Sequence, residues 1–149
     1  MPDLSANLPD WISQHIEQYL SDPEAAHFWD SSALGGPGIL PTLLLATTGR
    51  KSGEQKMSPL IYKKVSDGYV IIASKGGAPN HPAWYLNLQA DVECKIQVGS
   101  LVLAVTARVA AGDERKAPWD QLVKVYPPYN TYQQTAGGRV IPVVVLETS

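Results

Sequence analysis

The sequence predicts an α+β fold that is mainly β: an antiparallel sheet or small barrel, with helices before and between its strands. Two observations make this prediction and a third removes the main competitor. About six short runs of apolar or alternating residues have strand length. Two tight joints, Ser66-Asp67-Gly68 and Gly99-Ser100, connect neighbouring runs as hairpins. No G-x-G-x-x-G follows a strand, and Gly49-Arg50-Lys51-Ser52-Gly53 lacks the G-x-x-x-x-G-K-[ST] spacing of a nucleotide loop, so a doubly wound nucleotide fold has no support. The 149 residues, 44% of them hydrophobic, suffice for a single domain with one real core.

Trp11, Ile12, His15, Ile16, Tyr19 and Leu20 recur at helical spacing and put one apolar stripe on a first helix, with Asp10 as its N-cap. Asp22-Pro23 reads as an N-cap followed by proline at the first helical position. It opens a second helix through Trp29, which the Gly35-Gly36-Pro37-Gly38 cluster ends. Strands follow over residues 42–48, 56–65 and 69–74. His81-Pro82 opens a short helix to Ala90. In residues 92–98, Val92, Cys94, Ile96 and Val98 share one face, which makes Cys94 a core thiol. Leu101, Leu103, Val105, Ala107 and Val109 alternate in the partner strand. A helix covers residues 113–125, begun or interrupted by Pro118, and leads to Pro127-Pro128 and a Tyr-rich turn. Residues 140–146 close the chain as a strand whose Pro142 indicates an edge or a bulge.

Charge narrows the partners. Twelve Lys and Arg against fourteen Asp and Glu give a net charge of −2, without the basic excess that binding a phosphate backbone requires, so nucleic acid is not an expected partner. The distribution is uneven. Residues 1–30 carry Asp3, Asp10, Glu17, Asp22, Glu24 and Asp30 with no Lys or Arg, whereas residues 49–75 carry Arg50, Lys51, Lys56, Lys63, Lys64 and Lys75 against Glu54 and Asp67. A solvated face explains many such runs, but here the cations sit among glycines and hydroxyls, the composition of a compact anion site. One cysteine permits no internal disulfide, no apolar run approaches the roughly 18 residues of a membrane span, and MPDLSANLPD carries neither a basic region nor an apolar signal core. The expected location is cytoplasmic. The acidic amphipathic helix leaves two readings, packing on the sheet or contact with a membrane, and its lack of Lys and Arg favours packing.

No G-x-S-x-G elbow is present, and His15, His27 and His81 lack the close spacing of a helical zinc site. His15 reads as a packing residue and His81 as a cap or turn. Two segments stand out. Thr47-Thr48-Gly49-Arg50-Lys51-Ser52-Gly53 and Ser74-Lys75-Gly76-Gly77-Ala78-Pro79-Asn80-His81-Pro82 each end a strand in a turn rich in N–H groups and cations. The second also leads into a helix N-terminus, which favours an anion.

LLLATTGRKSGEQKMSPLIY, VIIASKGGAPNHPAWYLNL, VYPPYNTYQ and RVIPVVV, in this order and spacing, resemble the deazaflavin-dependent nitroreductase and quinone reductase family. The resemblance runs from about Leu34 to the C-terminus, and its first two blocks are specific as a pair. It implies a split β-barrel, of the FMN-binding, pyridoxamine-phosphate-oxidase-like type, as a cofactor-binding domain over residues 34–149, preceded by an N-terminal helical segment over 1–33. It also implies coenzyme F420 in reduced form as hydride donor to a quinone-like or nitroaromatic acceptor. F420 carries a deazaflavin, a phosphodiester and an oligoglutamate tail, which together need an apolar slot and a cationic cradle. By resemblance, Arg50, Lys51 and Lys56, with Ser52 beside them, meet the anionic tail. Met57, Ser58, Pro59 and Leu60 run along the deazaflavin, Ala73, Ser74 and Lys75 approach ring and phosphate, and Ala83, Trp84, Tyr85 and Asn87 close the pocket. Ile61 stands where the family pattern has Tyr, and Lys56 where it has Arg, which bears on acceptor preference more than on cofactor binding.

Tyr126, Tyr129 and Tyr132 repeat at spacing three, which gathers them on one side of a helical turn. Core packing is the plain account of such residues. Three phenols beside prolines also suit an aromatic pocket wall with donors available, and the family places its acceptor there. Tyr129 then touches the cofactor and is the candidate proton donor or oxyanion stabiliser, with Ser74, Tyr126 and Tyr132 as further catalytic candidates. Two rivals stand beside this reading: FMN chemistry on the related split barrel, and an F420-binding carrier without turnover. The oligomeric state is open at this stage.

Overall fold

A computed structural model describes residues 10–32 and 36–148. The charge and signal readings on residues 1–9, and the segment boundary at residues 33 and 34, lie outside the described residues. Helix α1 spans Asp10–Ser21 and α2 spans Pro23–Ala26, and strand β1 covers Phe28–Asp30. Strands β2 (Ile39–Thr48), β3 (Gln55–Ile61), β4 (Lys63–Val65) and β5 (Gly68–Ile72) follow. A 3-10 turn at Lys75–Gly77 leads to α3 (Ala83–Ala90), β6 (Glu93–Val98) and β7 (Leu101–Val109). The chain ends with α4 (Asp113–Val125), α5 (Pro128–Thr135) and β8 (Val143–Thr148).

The strands form one antiparallel half-barrel sheet in the order β1-β2-β6-β7-β8-β5-β4, with β3 paired to β2. Hairpins β4–β5 and β6–β7 close at the two joints read from sequence, with Val65 opposite Gly68 and Val98 opposite Leu101. Gly68 is required by proximity: a Cβ there would lie 2.0 Å from the Leu146 carbonyl oxygen on β8.

Alternation splits the apolar residues between two cores. Leu43, Leu45, Tyr69, Ile71, Ile96, Val105, Val144 and Leu146 fill the concave side, which α3 plugs with Trp84, Tyr85 and Leu88. Val70, Ile72, Val143 and Val145 point the other way, onto Leu122 of α4 and the α5 tyrosines. Cys94 is buried in the first core, and burial pushes its thiol pKa up to about 12, so it is an inert packing group. Helix α1 packs Ile16 and Tyr19 on Leu44 and Met57 of β2 and β3. The Tyr19 hydroxyl donates to Thr42 O at 2.6 Å and accepts from the Gly99 amide at 3.2 Å. Among the described residues no helix is long and apolar enough to cross a membrane.

Several expectations are corrected. Asp22 does cap α2, its carboxylate accepting from the Ala25 amide, but the helix stops at Ala26 and Phe28–Asp30 is a strand. Pairing with Ile39–Pro41 of β2 claims the aromatic pair that helical continuation would have used. Asp10 lies within α1 rather than before it. The expected strand 56–65 breaks at Tyr62, whose hydroxyl turns away to meet His27 Nε2 at 2.8 Å. The last strand begins after Pro142, not at Val140, and is no edge: β8 lies between β5 and β7 with Val143–Leu146 buried on both faces. A continuous apolar run is what a doubly covered strand needs, and the proline sits just before the ladder, where its missing N–H costs nothing. Val92, Leu101 and Val109 keep the expected parity but are exposed, because they lie at the ends of their ladder beyond the core's reach.

Candidate functional site

A cavity of about 470 Å³ opens between the half-barrel and α4–α5, with α1 across one side. Its floor is Ser58–Ile61 of β3 and Ile72 of β5, its far wall is Tyr126, Tyr129 and Tyr132, and its opposite wall is Pro82, Ala83 and Trp84. Ile12 and His15 of α1, with Trp29 and Thr42, complete it. The volume lies within the range of pre-formed small-molecule sites.

One end gathers a hydroxyl, a cation and a helix N-terminus. Ser74 and Lys75 follow the end of β5 and line the cavity beside the first residues of α3. No side chain caps α3 and its first turn holds no carboxylate, so its positive end is unneutralised. Lys75 has φ +47, in the left-handed region that a β-carbon disfavours. Strain held at a cavity mouth points to a role for the side chain it aims. The Lys75 ammonium donates to the neutral Asn80 Oδ1 at 3.4 Å, which leaves its charge uncompensated by that contact.

The other end is aromatic. Tyr126 caps the C-terminus of α4 while Tyr129 and Tyr132 ride on α5, started by Pro128 at its first position. The Tyr126 and Tyr129 rings meet edge-on at 4.9 Å, and the Tyr126 and Tyr132 hydroxyls share a hydrogen bond of 2.9 Å. Tyr129 is 5% exposed and lines the cavity, its ring packed against Tyr126 and Tyr132. Burial drives its pKa far above the ordinary phenol range, so it keeps its proton and offers it as a donor at any working pH.

The structure gathers Ser58, Pro59, Leu60, Ser74, Lys75, Ala83, Trp84, Tyr126, Tyr129 and Tyr132 in this cavity. It places the other sequence-selected residues elsewhere. Met57 faces α1 on the opposite side of β3 from Ser58. Ala73 is fully buried in the barrel core, and Tyr85 packs there against His81 and Trp84. Asn87 is buried behind the wall, its Oδ1 accepting from the Arg50 amide at 3.2 Å and from Arg50 Nη1 at 2.9 Å, while its Nδ2 donates to Thr47. It ties the β2–β3 turn to α3. Arg50 Nη1 also reaches Ala83 O at 3.5 Å, which brings this guanidinium to the cavity rim. Lys51 and Ser52 stay exposed on the turn, and Lys56 is half-buried with Glu54 at 3.8 Å.

Sequence reasoning missed the α1 wall and Arg139. His15 is buried as a packing residue should be, but it also faces the cavity, its Nε2–H donating to Ala26 O at 2.9 Å. His81 Nδ1 accepts from Arg139 Nη1 at 3.1 Å, which requires the neutral ring. Burial lowers the pKa of both histidines below the ordinary 6.5, and Arg139 adds to this at His81. A depressed pKa favours the neutral fold. The stabilisation is therefore complete above pH 6.5 and is lost as pH falls below that value through the folded-state pKa of each ring. Thermal unfolding should show a fall in Tm on acidification through this window, shallower in His15→Gln. A Tm independent of pH there would remove both rings from the stability of the fold.

The comparisons with known proteins converge. The family described as F420H(2)-dependent quinone reductase matches residues 20–148. The F420H(2)-dependent quinone reductase of Mycobacterium tuberculosis is 38% identical over 142 residues, spanning 91% of this chain and 95% of the relative. A solved F420-H2 dependent reductase superposes with a TM-score of 0.66 at 42% identity, covering 72% of this chain and 94% of that one. A second solved chain, described as a domain-swapped dimer, has a TM-score of 0.69 at 37% identity, covering 93% and 98%. With the family match, the relative and the half-barrel neighbour in agreement, the chain belongs to the F420H(2)-dependent quinone reductase family.

Proposed function

We propose that the cavity between Ser74–Lys75 and the tyrosine wall is where a hydride passes from reduced F420 to a quinone, with nitroaromatics as a second acceptor class. The observation that carries this reading is the polarity of one cavity: a cation, a hydroxyl and an uncapped helix N-terminus at one end, and an apolar and aromatic slot with a buried, protonated phenol at the other. The residues fit the group. A phosphodiester suits the first end, a planar deazaflavin suits the floor of Ser58–Leu60, and the exposed Arg50 and Lys51 lie beyond Ala83 where an acidic tail can follow. When bound, reduced F420 supplies the hydride.

The chain's own residues bind, orient and stabilise. Lys75 and Ser74 hold the anionic group, with Arg50, Lys51, Ser52 and Lys56 attracting the tail. Ser58, Pro59 and Leu60 support the ring, with Met57 beneath the same strand, and Ala83 and Trp84 exclude water. Ala73, Tyr85 and Asn87 act from behind, keeping the two turns and α3 in place. Tyr129 donates a hydrogen bond to the oxygen on which charge develops, while Tyr126 and Tyr132, locked by their shared hydrogen bond, hold its ring edge-on. Helix α1 and Trp29 of β1 serve this domain as a wall.

Fluorescence titration with F420 beside FMN tests the reading. F420 should bind more tightly than FMN and weaken as salt rises, because surface cations are screened. Lys75→Ala should weaken F420 by about 1.5–3 kcal/mol, the worth of a charge-assisted bond. Tight FMN binding with no measurable F420 affinity would sink the assignment, and an unchanged Lys75→Ala would move the anionic group to the β2–β3 turn.

A further inference from the structure

We infer that Arg139 is the positioning residue of the cofactor loop, holding residues 73–81 in the shape that presents Ser74 and Lys75 and fastening that loop to the tyrosine helix. A guanidinium has five N–H donors in one plane. All five of Arg139 are used, and every acceptor belongs to this loop. Nε donates to Ala78 O at 3.1 Å, Nη1 to Ala73 O at 3.0 Å and His81 Nδ1 at 3.1 Å, and Nη2 to Ser74 O and Ala78 O at 2.8 Å each.

The loop needs such a partner. It holds left-handed conformations at Lys75 and Gly77, and among the described residues its backbone amides donate within the loop from Gly77 to Ser74 O and from Ala78 to Lys75 O, with Ala73 reaching out to Pro142 O at 3.0 Å. Left-handed backbone at a non-glycine residue persists only where surroundings over-determine it. The other end of the strut is fixed as well. Gln133 of α5 donates from Nε2 to Arg139 O at 2.7 Å and accepts the Ile141 amide on Oε1 at 2.9 Å. Thr135 adds a direct link, its hydroxyl donating to Gly77 O at 3.2 Å. The spacing between the anion end and the tyrosine end of the cavity is therefore set by Arg139 and its neighbours. Lysine cannot replace it, having three donors and no plane.

This inference rests on the cofactor reading above, and the experiment separates the two. F420 titrations on wild type, Arg139→Lys, Arg139→Ala and Thr135→Val are read beside near-UV circular dichroism. Both Arg139 variants should raise the F420 Kd by at least about tenfold in folded protein, the loss expected when charge-assisted bonds that shape a site are removed. Guanidinium at about 50 mM should recover part of the affinity of Arg139→Ala with the near-UV spectrum unchanged, while equal sodium chloride weakens it, and recovery only in step with a restored near-UV spectrum would mark a purely structural role and overturn the inference. A folded Arg139 variant with wild-type F420 affinity overturns the inference. Should both Arg139 variants fail to fold, Thr135→Val decides: a raised Kd supports the coupling and an unchanged one overturns it. Failure of the wild type to bind F420 counts instead against the cofactor reading.

Discussion

Tyr129→Phe is expected to lower turnover with quinone about 10²-fold, the usual loss on removing one preorganised donor to a developing oxyanion, while leaving F420 affinity unchanged. The geometry separates chemistry from stability. Phenylalanine removes only the hydroxyl and keeps the ring, with its edge-on contact to Tyr126 at 4.9 Å. Tm should therefore stay near the wild-type value. Burial keeps the phenol protonated, so the pH profile of turnover should show no phenol titration. Tyr126→Phe should do less to turnover, since that hydroxyl is shared with Tyr132. A parallel fall in Tm with Tyr129→Phe would identify a structural residue. An unchanged rate with quinone and nitro acceptors alike would remove Tyr129 from the mechanism.

Gly77→Ala should be the most destabilising single substitution in the cofactor loop. Its φ of +81 costs an L-residue roughly 1–2 kcal/mol. The added Cβ would also lie 2.3 Å from Thr135 Oγ1 and 2.8 Å from Tyr132 Cα, an overlap with helix backbone worth about 1–3 kcal/mol. Together these predict a loss of about 2–5 kcal/mol and a Tm lower by on the order of 10 °C. Gly138→Ala supplies the control. With φ +87 and nothing within 4 Å of its added Cβ, it loses the conformational part alone. Equal Tm values for the two variants would show that α5 yields to the methyl group. The same Gly77 variant should weaken F420, because relieving the overlap moves Tyr132 and the loop apart.

Much of the fold is legible before any coordinates. The hairpins at Ser66-Asp67 and Gly99-Ser100, the burial of Cys94 and the stripe that seats α1 follow from periodicity and turn chemistry, which act over a few residues. The cations and glycines of residues 49–53 and 74–77 and the Tyr126–Tyr129–Tyr132 spacing are local patterns too, and the structure brings Ser74, Lys75 and the three tyrosines to one cavity. The end of α2 and the centrality of β8 are different. Phe28–Asp30 is a strand because β2 is there to pair with it, and Val143–Leu146 is central because β5 and β7 flank it. Neither neighbour can be read from the segment itself.

The same division runs through the site. Residue types able to bind an anion and polarise an oxygen are written in the sequence by itself, since chemistry belongs to the side chain. Which of them face the cavity was decided only in three dimensions. Asn87 chose Arg50 and Thr47 across 37 and 40 residues, Met57 fell on the α1 side of β3, and His15 came to the cavity wall through α1 packing. Arg139 found its acceptors 58 to 66 residues away. A buried polar group must be satisfied, but topology alone determines which distant partner is within reach to satisfy it.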